Sequence, residues 1–139
     1  MEINATLLEE LKKKGFRMTT VRSNMIDLLI KTRSPLTAQD VHFLLSQKGL
    51  LVNKTTIYRE ILFLLGQDII QEIHFSDGKM RYEIARHHHH HIVCVQCKTV
   101  KDVILEDDLA EHERKIEKNS RFKILNHSLE FFGLCEKCR

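Results

Sequence analysis

Apolar residues recur at helical spacing in four consecutive segments of the first half of the chain, which indicates four amphipathic helices. Breaks and capping residues set their ends, because threonine and asparagine favour the start of a helix whereas glycine and proline favour its end. The helices are predicted to cover residues 2–14, to run from Thr19 or Thr20 to the break at Pro35, to follow Thr37 as far as Gly49, and to extend from about 53–55 to 65.

The hydrophobic period changes after the fourth helix. Residues 69–75 and 80–84 read as strands, and a turn that contains Asp77-Gly78 separates them, which is a hairpin signal. Helices followed at once by a hairpin are typical of a winged helix–turn–helix, whose last helix before the hairpin enters the major groove of DNA. We therefore predict a winged-helix DNA-binding domain over residues 1–84, with residues 55–65 as its recognition helix.

The remaining residues show a mixed pattern. Strands are predicted over 92–95, 100–104 and 122–132, and a helix over 106–119 with Leu105, Leu109, His112 and Ile116 on its apolar side. The fold class is therefore α+β, with a small α/β domain over residues 85–139. Because this domain is too small to bury a large core, we expect it to need a metal and a second copy of the chain for stability.

The chain has four cysteines, arranged as two CxxC pairs. Paired turns of this kind bring sulfur atoms to one point, and four thiolates in a tetrahedron favour Zn²⁺. Two disulfides and a thioredoxin-like redox motif are the alternatives. No apolar signal segment precedes the first helix, so a reducing cytoplasm, and hence zinc, is expected. The predicted structural zinc ligands are Cys94, Cys97, Cys135 and Cys138.

Five consecutive histidines, residues 87–91, precede the first cysteine pair. On a strand, alternate side chains point to opposite faces. His89 and His91 would therefore share one face and suit one metal ion, whereas His88 and His90 would share the other face and suit a second. An inserted tag is a poor explanation, because the run lies in the middle of the chain between two strand-like segments.

The chain of 139 residues carries a net charge of +3, which permits DNA binding without demonstrating it. It contains no apolar run of the length that a membrane helix needs. No nucleophile with a base, catalytic carboxylate pair or phosphate loop stands out, so an enzyme is not predicted. A zinc storage or buffering protein is the alternative from another class, but such a protein has no need of a recognition helix and wing.

These motifs, in this order, resemble those of the ferric uptake regulator family over nearly the whole chain. The shared features are the sequence Thr55-Thr56-Ile57-Tyr58-Arg59 in the recognition helix, Gly78-Lys79 in the wing, the histidine run leading into the first CxxC, the sequence Asn126-His127-Ser128-Leu129, and the terminal CxxC. The resemblance implies a homodimeric repressor that binds palindromic double-stranded DNA operators when loaded with Fe²⁺ or another divalent metal. Branches of the family sense iron, zinc, manganese, nickel or peroxide, and iron is the commonest; no small-molecule substrate is implied.

The resemblance also implies site residues. The regulatory metal site between the two domains maps to Glu83, His89, His91 and Asp102. A further family ligand position falls on Pro35, which cannot ligate. A second site in the dimerisation domain maps to His88, His90 and His127 with an acidic residue of the long helix, which falls by eye on Ala110 with Glu111 one place along. The implied DNA contacts are Arg17, Arg22, Thr56, Tyr58 and Arg59; Thr56 could instead cap the recognition helix.

Overall fold

The computed structural model describes residues 2–85, 88–107 and 109–139. The chain divides into two compact units, Met1–Arg86 and His87–Arg139. The domain boundary predicted from sequence, after residue 84, lies close to this division. No helix among the described residues is long and apolar enough to cross a lipid bilayer.

Four helices form most of the N-terminal unit. They are α1 (Glu2–Lys13), α2 (Thr20–Lys31), α3 (Ala38–Gln47) and α4 (Lys54–Gly66). Gly15 ends the first helical segment with a φ of 85°, a conformation that glycine adopts without strain. The second helix begins where a threonine cap was predicted, because the Thr19 side chain accepts a hydrogen bond from the Arg22 backbone.

Helices α3 and α4 begin with side-chain caps. The Thr37 hydroxyl accepts from the Asp40 backbone N–H at 3.0 Å, and an Asp40 carboxylate oxygen accepts from the Thr37 backbone N–H at 2.9 Å, which completes a capping box. At α4 the Asn53 side-chain oxygen, Oδ1, accepts from the Thr56 backbone N–H at 2.9 Å. The alternative role of Thr56 as the helix cap is therefore wrong, because Thr56 supplies the capped N–H.

A three-stranded antiparallel sheet completes this unit. It consists of β1 (Leu36–Thr37), β2 (Ile70–His74) and β3 (Met80–Ile84), in the order β1-β3-β2. The two longer strands are the predicted hairpin, and Glu83 lies opposite Gln71 in their register. The short β1 was not predicted, because two residues cannot display the alternation of a strand.

The core of the N-terminal unit lies where the helices meet the sheet. Each of the four helices and all three strands contribute apolar side chains to one buried cluster. The most completely buried members are Leu11, Met25, Ile26, Val41, Leu45, Ile57, Ile61 and Leu64. This core fixes one face of α4 and leaves the opposite face free for contacts with a ligand.

The C-terminal unit consists of β4 (His90–Cys94), β5 (Val100–Val103), α5 (Ala110–Ser120) and β6 (Glu130–Gly133). Strand β4 is central, since it pairs antiparallel with β5 and parallel with β6. It begins earlier than predicted because His90 and His91 pair with Val103 and Asp102.

Two predictions for this unit are wrong in extent. The predicted strand 122–132 is limited to β6, because the register with β4 begins only at Glu130. The predicted helix 106–119 begins at Ala110, because Leu109 adopts a left-handed φ of 63° that a helix cannot contain; residue 108 lies outside the described residues.

The predicted apolar side of α5 is also wrong. Of the four residues assigned to it, Ile116 is 54% exposed and the His112 side chain is 62% exposed. The face of the helix turned towards its own unit carries Ala110, Glu113 and Glu117, and a Glu117 carboxylate oxygen accepts from the Ile124 backbone N–H at 2.7 Å. Among the described residues of this unit, the buried apolar side chains are Val93 and Cys94.

Replacing Thr37 with alanine should lower the free energy of unfolding by about 1 kcal/mol, the usual effect of losing a side-chain cap at a helix N-terminus. Urea unfolding followed by circular dichroism measures the change. Thr55→Ala is the matched control, because Thr55 is exposed in the first turn of α4 and does not cap it. Equal effects of the two substitutions would contradict the role of the capping box.

Candidate metal centres and DNA-binding surface

The four cysteines of the CxxC pairs lie together in the C-terminal unit. The parallel register places Cys94 opposite Gly133, so the turn after β4 lies beside the segment that follows β6. Their sulfur atoms all lie within 4.8 Å of one another, and the sulfurs of Cys97 and Cys135 are 3.6 Å apart. All four are free thiols rather than disulfides. The donor set is therefore the four-sulfur set that Zn²⁺ prefers.

The surroundings of these thiols favour thiolate at one end of the cluster. The backbone N–H groups of Cys97 and Cys135 donate to the Cys94 sulfur at 3.5 Å and 3.4 Å, and these bonds lower the pKa of Cys94 to about 6. The neighbouring Cys135 sulfur raises the pKa of Cys138 to about 12. Four sulfurs this close cannot all ionise unless a cation neutralises them, so the site fits a bound divalent metal.

A first histidine cluster lies on one face at the start of β4. The rings of His89 and His91 are 4.8 Å apart between centroids, and each Nε2 atom is 3.9 Å from the same Asp102 carboxylate oxygen. His91 is 2% exposed, and Asp102 lies directly opposite it on β5. Two imidazoles and a carboxylate that converge in this way could serve as three metal ligands from one unit.

Glu83, the fourth residue predicted for this set, belongs to the N-terminal unit. It is buried on β3, and its carboxylate accepts a hydrogen bond from the Gln71 side-chain amide at 2.8 Å. The register of the hairpin produces this contact, since Gln71 and Glu83 are paired residues.

A second histidine cluster combines His88 and His90 with His127. The Nε2 atom of His88 lies 3.2 Å from Nε2 of His90 and 3.0 Å from Nε2 of His127. The other ring nitrogen of His127, Nδ1, contacts a Glu113 carboxylate oxygen at 2.5 Å. Odd and even histidines thus lie in separate clusters, as the alternation of a strand predicts; His87 lies outside the described residues.

The acidic partner in the second cluster is Glu113, whereas the sequence comparison had pointed to Glu111. Glu111 is exposed and pairs with Lys115 at 3.0 Å on the outer side of α5. The two glutamates are two residues apart, which on a helix places them on different faces. Sequence reasoning missed Glu113 because the acidic position was taken from the family motif by eye, which fell on Ala110 with Glu111 one place along.

The surroundings of His90 favour its neutral imidazole form. Burial, and then the positive charge that His88 and His127 would carry, lower the pKa of His90. Neutral imidazole is the form that binds a metal through a ring nitrogen lone pair. The cluster can therefore accept a metal ion near neutral pH with little competition from protons at His90.

Helix α4 presents an exposed face with the composition of a DNA-reading surface. Tyr58 is 54% exposed, and Arg59 beside it is also exposed. Thr56 is half-buried in the first turn of the same helix, and Arg17 is exposed before α2. An aromatic ring and a guanidinium near a helix N-terminus can contact thymine methyl groups, guanine or phosphate.

Arg22 was predicted to contact DNA phosphate, but in this structure its side chain is largely enclosed within the N-terminal unit. Its side chain is 12% exposed, and its guanidinium forms a two-pronged ion pair with Glu60 at 2.9 Å and 3.1 Å. Another of its nitrogens donates to the Arg17 carbonyl at 2.6 Å. Partners within the unit therefore engage the guanidinium in this structure, and the phosphate contact of Arg22 stays a prediction.

The turn between β2 and β3 is held by an ion pair of its own. The two terminal guanidinium nitrogens of Arg81 donate to the Asp77 carboxylate, at 3.0 Å and 2.7 Å, and Arg81 lies over the Phe75 ring. The Arg81 bonds hold the pKa of the Asp77 carboxyl well below its usual range. Gly78 supplies the positive φ that the turn requires, so the tip that carries Lys79 has a defined shape.

A winged helix combined with several sets of metal-ligating side chains is the architecture of a metal-responsive DNA-binding regulator. A family profile described as "Ferric uptake regulator family" matches residues 13–132. The ferric uptake regulation protein of Bacillus subtilis is 34% identical over 135 residues, covering 94% of this chain and 90% of that protein. The peroxide-responsive repressor PerR of Staphylococcus epidermidis is 28% identical over 132 residues, covering 95% of this chain and 87% of that protein.

Solved structures show the same fold. The ferric uptake regulator Fur of Helicobacter pylori superposes with a TM-score of 0.75 at 24% identity, covering 99% of this chain and 91% of that chain. The chain therefore belongs to the ferric uptake regulator family. Members of this family are metal-responsive transcription regulators that bind DNA as dimers, and they are not enzymes.

Replacing Cys94 with serine should abolish zinc binding, because Cys94 is the buried thiol that two backbone N–H groups prepare for ionisation. Elemental analysis should find about one zinc per chain in the wild type and almost none in the variant. The C-terminal unit should lose structure at the same time, since its apolar core is small.

His91→Ala serves as the control, because it removes a buried ligand of another cluster and leaves all four thiols in place. Loss of zinc from Cys94→Ser but not from His91→Ala is the expected result. A folded Cys94→Ser protein that retains stoichiometric zinc would contradict the assignment.

Proposed function

We propose that the protein is a dimeric repressor that binds palindromic operators when a divalent metal, most commonly Fe²⁺, occupies a regulatory site. The observation that carries this proposal is the convergence of His89, His91 and Asp102, with each imidazole Nε2 atom at 3.9 Å from one carboxylate oxygen. Nitrogen and oxygen donors of this kind suit Fe²⁺ and Mn²⁺ as well as Zn²⁺. They are chemically distinct from the sulfur-only structural centre.

Glu83 is proposed as the fourth ligand, on the strength of its position in the family motif. It belongs to the DNA-binding unit, whereas the other three ligands belong to the C-terminal unit. A metal held by both sets would restrict the motion of one unit against the other and so favour the conformation that binds DNA. The family's histidine position at Pro35 supplies no ligand, so the metal should be held less tightly than by a complete set.

The second cluster is proposed to bind another metal ion through the Nε2 atoms of His88, His90 and His127, while Glu113 orients the His127 ring through its contact with Nδ1. Three imidazoles form a nitrogen-rich donor set, and His90 stands where the family commonly has aspartate. Such a set favours metals that accept nitrogen ligands. Because all four residues lie in the C-terminal unit, this metal would stabilise that unit rather than govern the motion between units.

DNA recognition is assigned to the exposed face of α4. Tyr58 and Arg59 would contact base edges or sugars in the major groove, with Thr56 close to them, and Arg17 would contact backbone phosphate. Arg22 is left out of this set because its guanidinium already has partners within the unit.

Dimerisation is proposed to occur through the C-terminal unit. This unit exposes an unusual amount of apolar surface for its size, including Ile104 at 83%, Phe122 at 76% and Leu125 at 88%. Apolar patches of this kind mark protein–protein interfaces. A second copy of the chain would cover them, and a two-fold symmetric dimer would match a palindromic operator.

We also propose that the protein is cytoplasmic, since the four free thiols need a reducing compartment to hold zinc. Peroxide sensing is a second candidate, favoured by the 28% identity to the peroxide-responsive repressor PerR. Zinc and manganese sensing belong to the same scheme with a different regulatory metal. A storage role is not supported, because it offers no use for the exposed face of α4.

The direct test is selection of DNA from a random duplex library. The purified protein, with its structural zinc retained, is offered the library with Fe²⁺ under anaerobic conditions, with Mn²⁺, with added Zn²⁺, or with a mild chelator. Enrichment of one palindrome only when metal is present is the expected result, and Fe²⁺ should be effective at a lower concentration than Mn²⁺. Equal enrichment with the chelator would refute metal activation, and loss of binding after peroxide treatment of the Fe²⁺ form alone would establish the peroxide branch.

His91→Ala should reduce metal-activated binding to the selected duplex by at least about ten-fold. Loss of an outer-sphere partner already weakens metal binding by about ten- to hundred-fold, and loss of a direct ligand should weaken it more. His127→Ala is the matched control, since it removes one imidazole from the other cluster. Fluorescence anisotropy with labelled duplex measures both variants. A normal response in His91→Ala together with a lost response in His127→Ala would identify the second cluster as the sensor.

Glu113→Ala should weaken metal binding at the second cluster about ten- to hundred-fold, because Glu113 contacts the ring of His127 directly. Glu111→Ala is its control, because it makes the same change of charge on the other side of the same helix. Both are made in a His91→Ala background, so that chelator competition reports mainly on the second cluster. If Glu111→Ala has the larger effect, the assignment of the acidic residue is wrong.

A further inference from the structure

Arg22 and Glu60 form an enclosed ion pair between α2 and α4. The side chains are 12% and 14% exposed, and both guanidinium–carboxylate contacts are at hydrogen-bonding distance. This two-pronged geometry fixes the relative orientation of the two groups as well as their distance. Sequence reasoning did not find it, because residues 38 positions apart carry no local signal of contact.

The same guanidinium has two further contacts. It donates to the Arg17 backbone carbonyl at 2.6 Å, and it lies 3.6 Å from the centroid of the Phe63 ring. Phe63 in turn packs edge-on against Phe16, with centroids 5.0 Å apart. One side chain therefore connects α4, through Glu60 and Phe63, to the segment that carries Arg17.

The residues joined in this way flank those assigned to DNA. Glu60 directly follows Tyr58 and Arg59 on α4, and Arg17 lies in the segment that precedes α2. A duplex fixes the distance between a major-groove base edge and a neighbouring phosphate, so residues that read both must be held at a matching distance.

We propose that Arg22 and Glu60 are positioning residues that set recognition helix α4 against the Arg17 segment, and thereby determine how well the protein discriminates its operator from other DNA. The inference rests on the proposed DNA-binding role of α4 and deepens it. Neither residue needs to touch DNA for this role.

Removal of the Glu60 charge tests the proposal, because the two explanations predict opposite changes in DNA affinity. A carboxylate close to a DNA-binding surface repels phosphate, so its removal should strengthen DNA binding if charge alone mattered. If Glu60 acts by orienting α4 through Arg22, its removal should instead weaken binding to the selected operator. The two expectations point in opposite directions.

The experiment compares Arg22→Ala, Glu60→Ala and the double variant in the full-length, metal-loaded protein. Affinity is measured over a range of salt concentrations for the selected duplex and for the same duplex with one half-site scrambled. Glu9→Ala is the matched control, because it removes a carboxylate that is exposed on α1 and pairs with Lys12 one turn away. Arg22→Lys tests whether a positive charge maintains discrimination without the planar guanidinium that binds both carboxylate oxygens.

The expected result is about a ten-fold loss of discrimination between the two duplexes for each single variant, comparable to the loss of one base contact. The double variant should lose no more than either single one, since the same bridge is broken in each case. The slope of DNA affinity against salt concentration should not change, and Arg22→Lys should recover little of the lost discrimination. General destabilisation would lower affinity for both duplexes alike and leave their ratio unchanged.

Two outcomes would overturn the proposal. The first is stronger binding by Glu60→Ala at unchanged discrimination, which is the result expected from the loss of a negative charge alone. The second is a reduction of the salt slope by about one in Arg22→Ala, which would identify Arg22 as a phosphate contact.

Amide hydrogen exchange provides a readout that does not need DNA. If the bridge holds α4 to the Arg17 segment, either single variant should exchange faster in both segments, and Glu9→Ala should not. If the wild type selects no duplex, the proposed function fails, and unchanged exchange in the variants would separately refute the positioning role.

Discussion

The alternation of side chains along β4 is the constraint on which the chemistry of the C-terminal unit depends. His91 faces Asp102 across one ladder, while His90 turns to the opposite side towards His127. The same strand ends at Cys94, where the parallel pairing with β6 brings the two CxxC turns together. A shift of register by one residue would exchange the two histidine faces and separate the thiols. Three sets of ligands thus rely on the pairing of a single five-residue strand.

The C-terminal unit has a small apolar core, so a bound metal and a partner protomer are expected to supply much of its stability. The N-terminal unit buries a continuous apolar cluster drawn from every helix and strand. In the C-terminal unit the buried residues include His90 and His91 alongside Val93 and Cys94, so polar ligands occupy the interior of the sheet. Burying imidazoles is costly unless their nitrogens have partners. Bound metal would satisfy those nitrogens, and a second protomer would cover the apolar side chains that remain outside.

Local patterns were sufficient to predict much of the fold and most of the candidate ligands. The helices of the N-terminal unit, its hairpin and the thiol cluster follow from spacing, caps and turns. The division of the histidines between two faces follows from the period of a strand. The pattern failed on α5 and on the segment before β6, where apolar residues such as Phe122 and Leu125 are exposed in the single chain. An apolar pattern records that a residue is buried, but not whether its own chain or a partner buries it. The contacts of Glu113 with His127 and of Arg22 with Glu60 could not be predicted, because each joins distant parts of the chain.

The placement of the two histidine clusters on opposite faces has an evolutionary consequence. Substitution of His88 or His90 alters the donors on one face of the strand and leaves His89 and His91 as they are. The two proposed metal sites could therefore diverge separately by single substitutions, with one face changing towards softer or harder ligands while the other keeps its preference. A family built on this strand can change the metal to which it responds without rebuilding the fold that reads DNA.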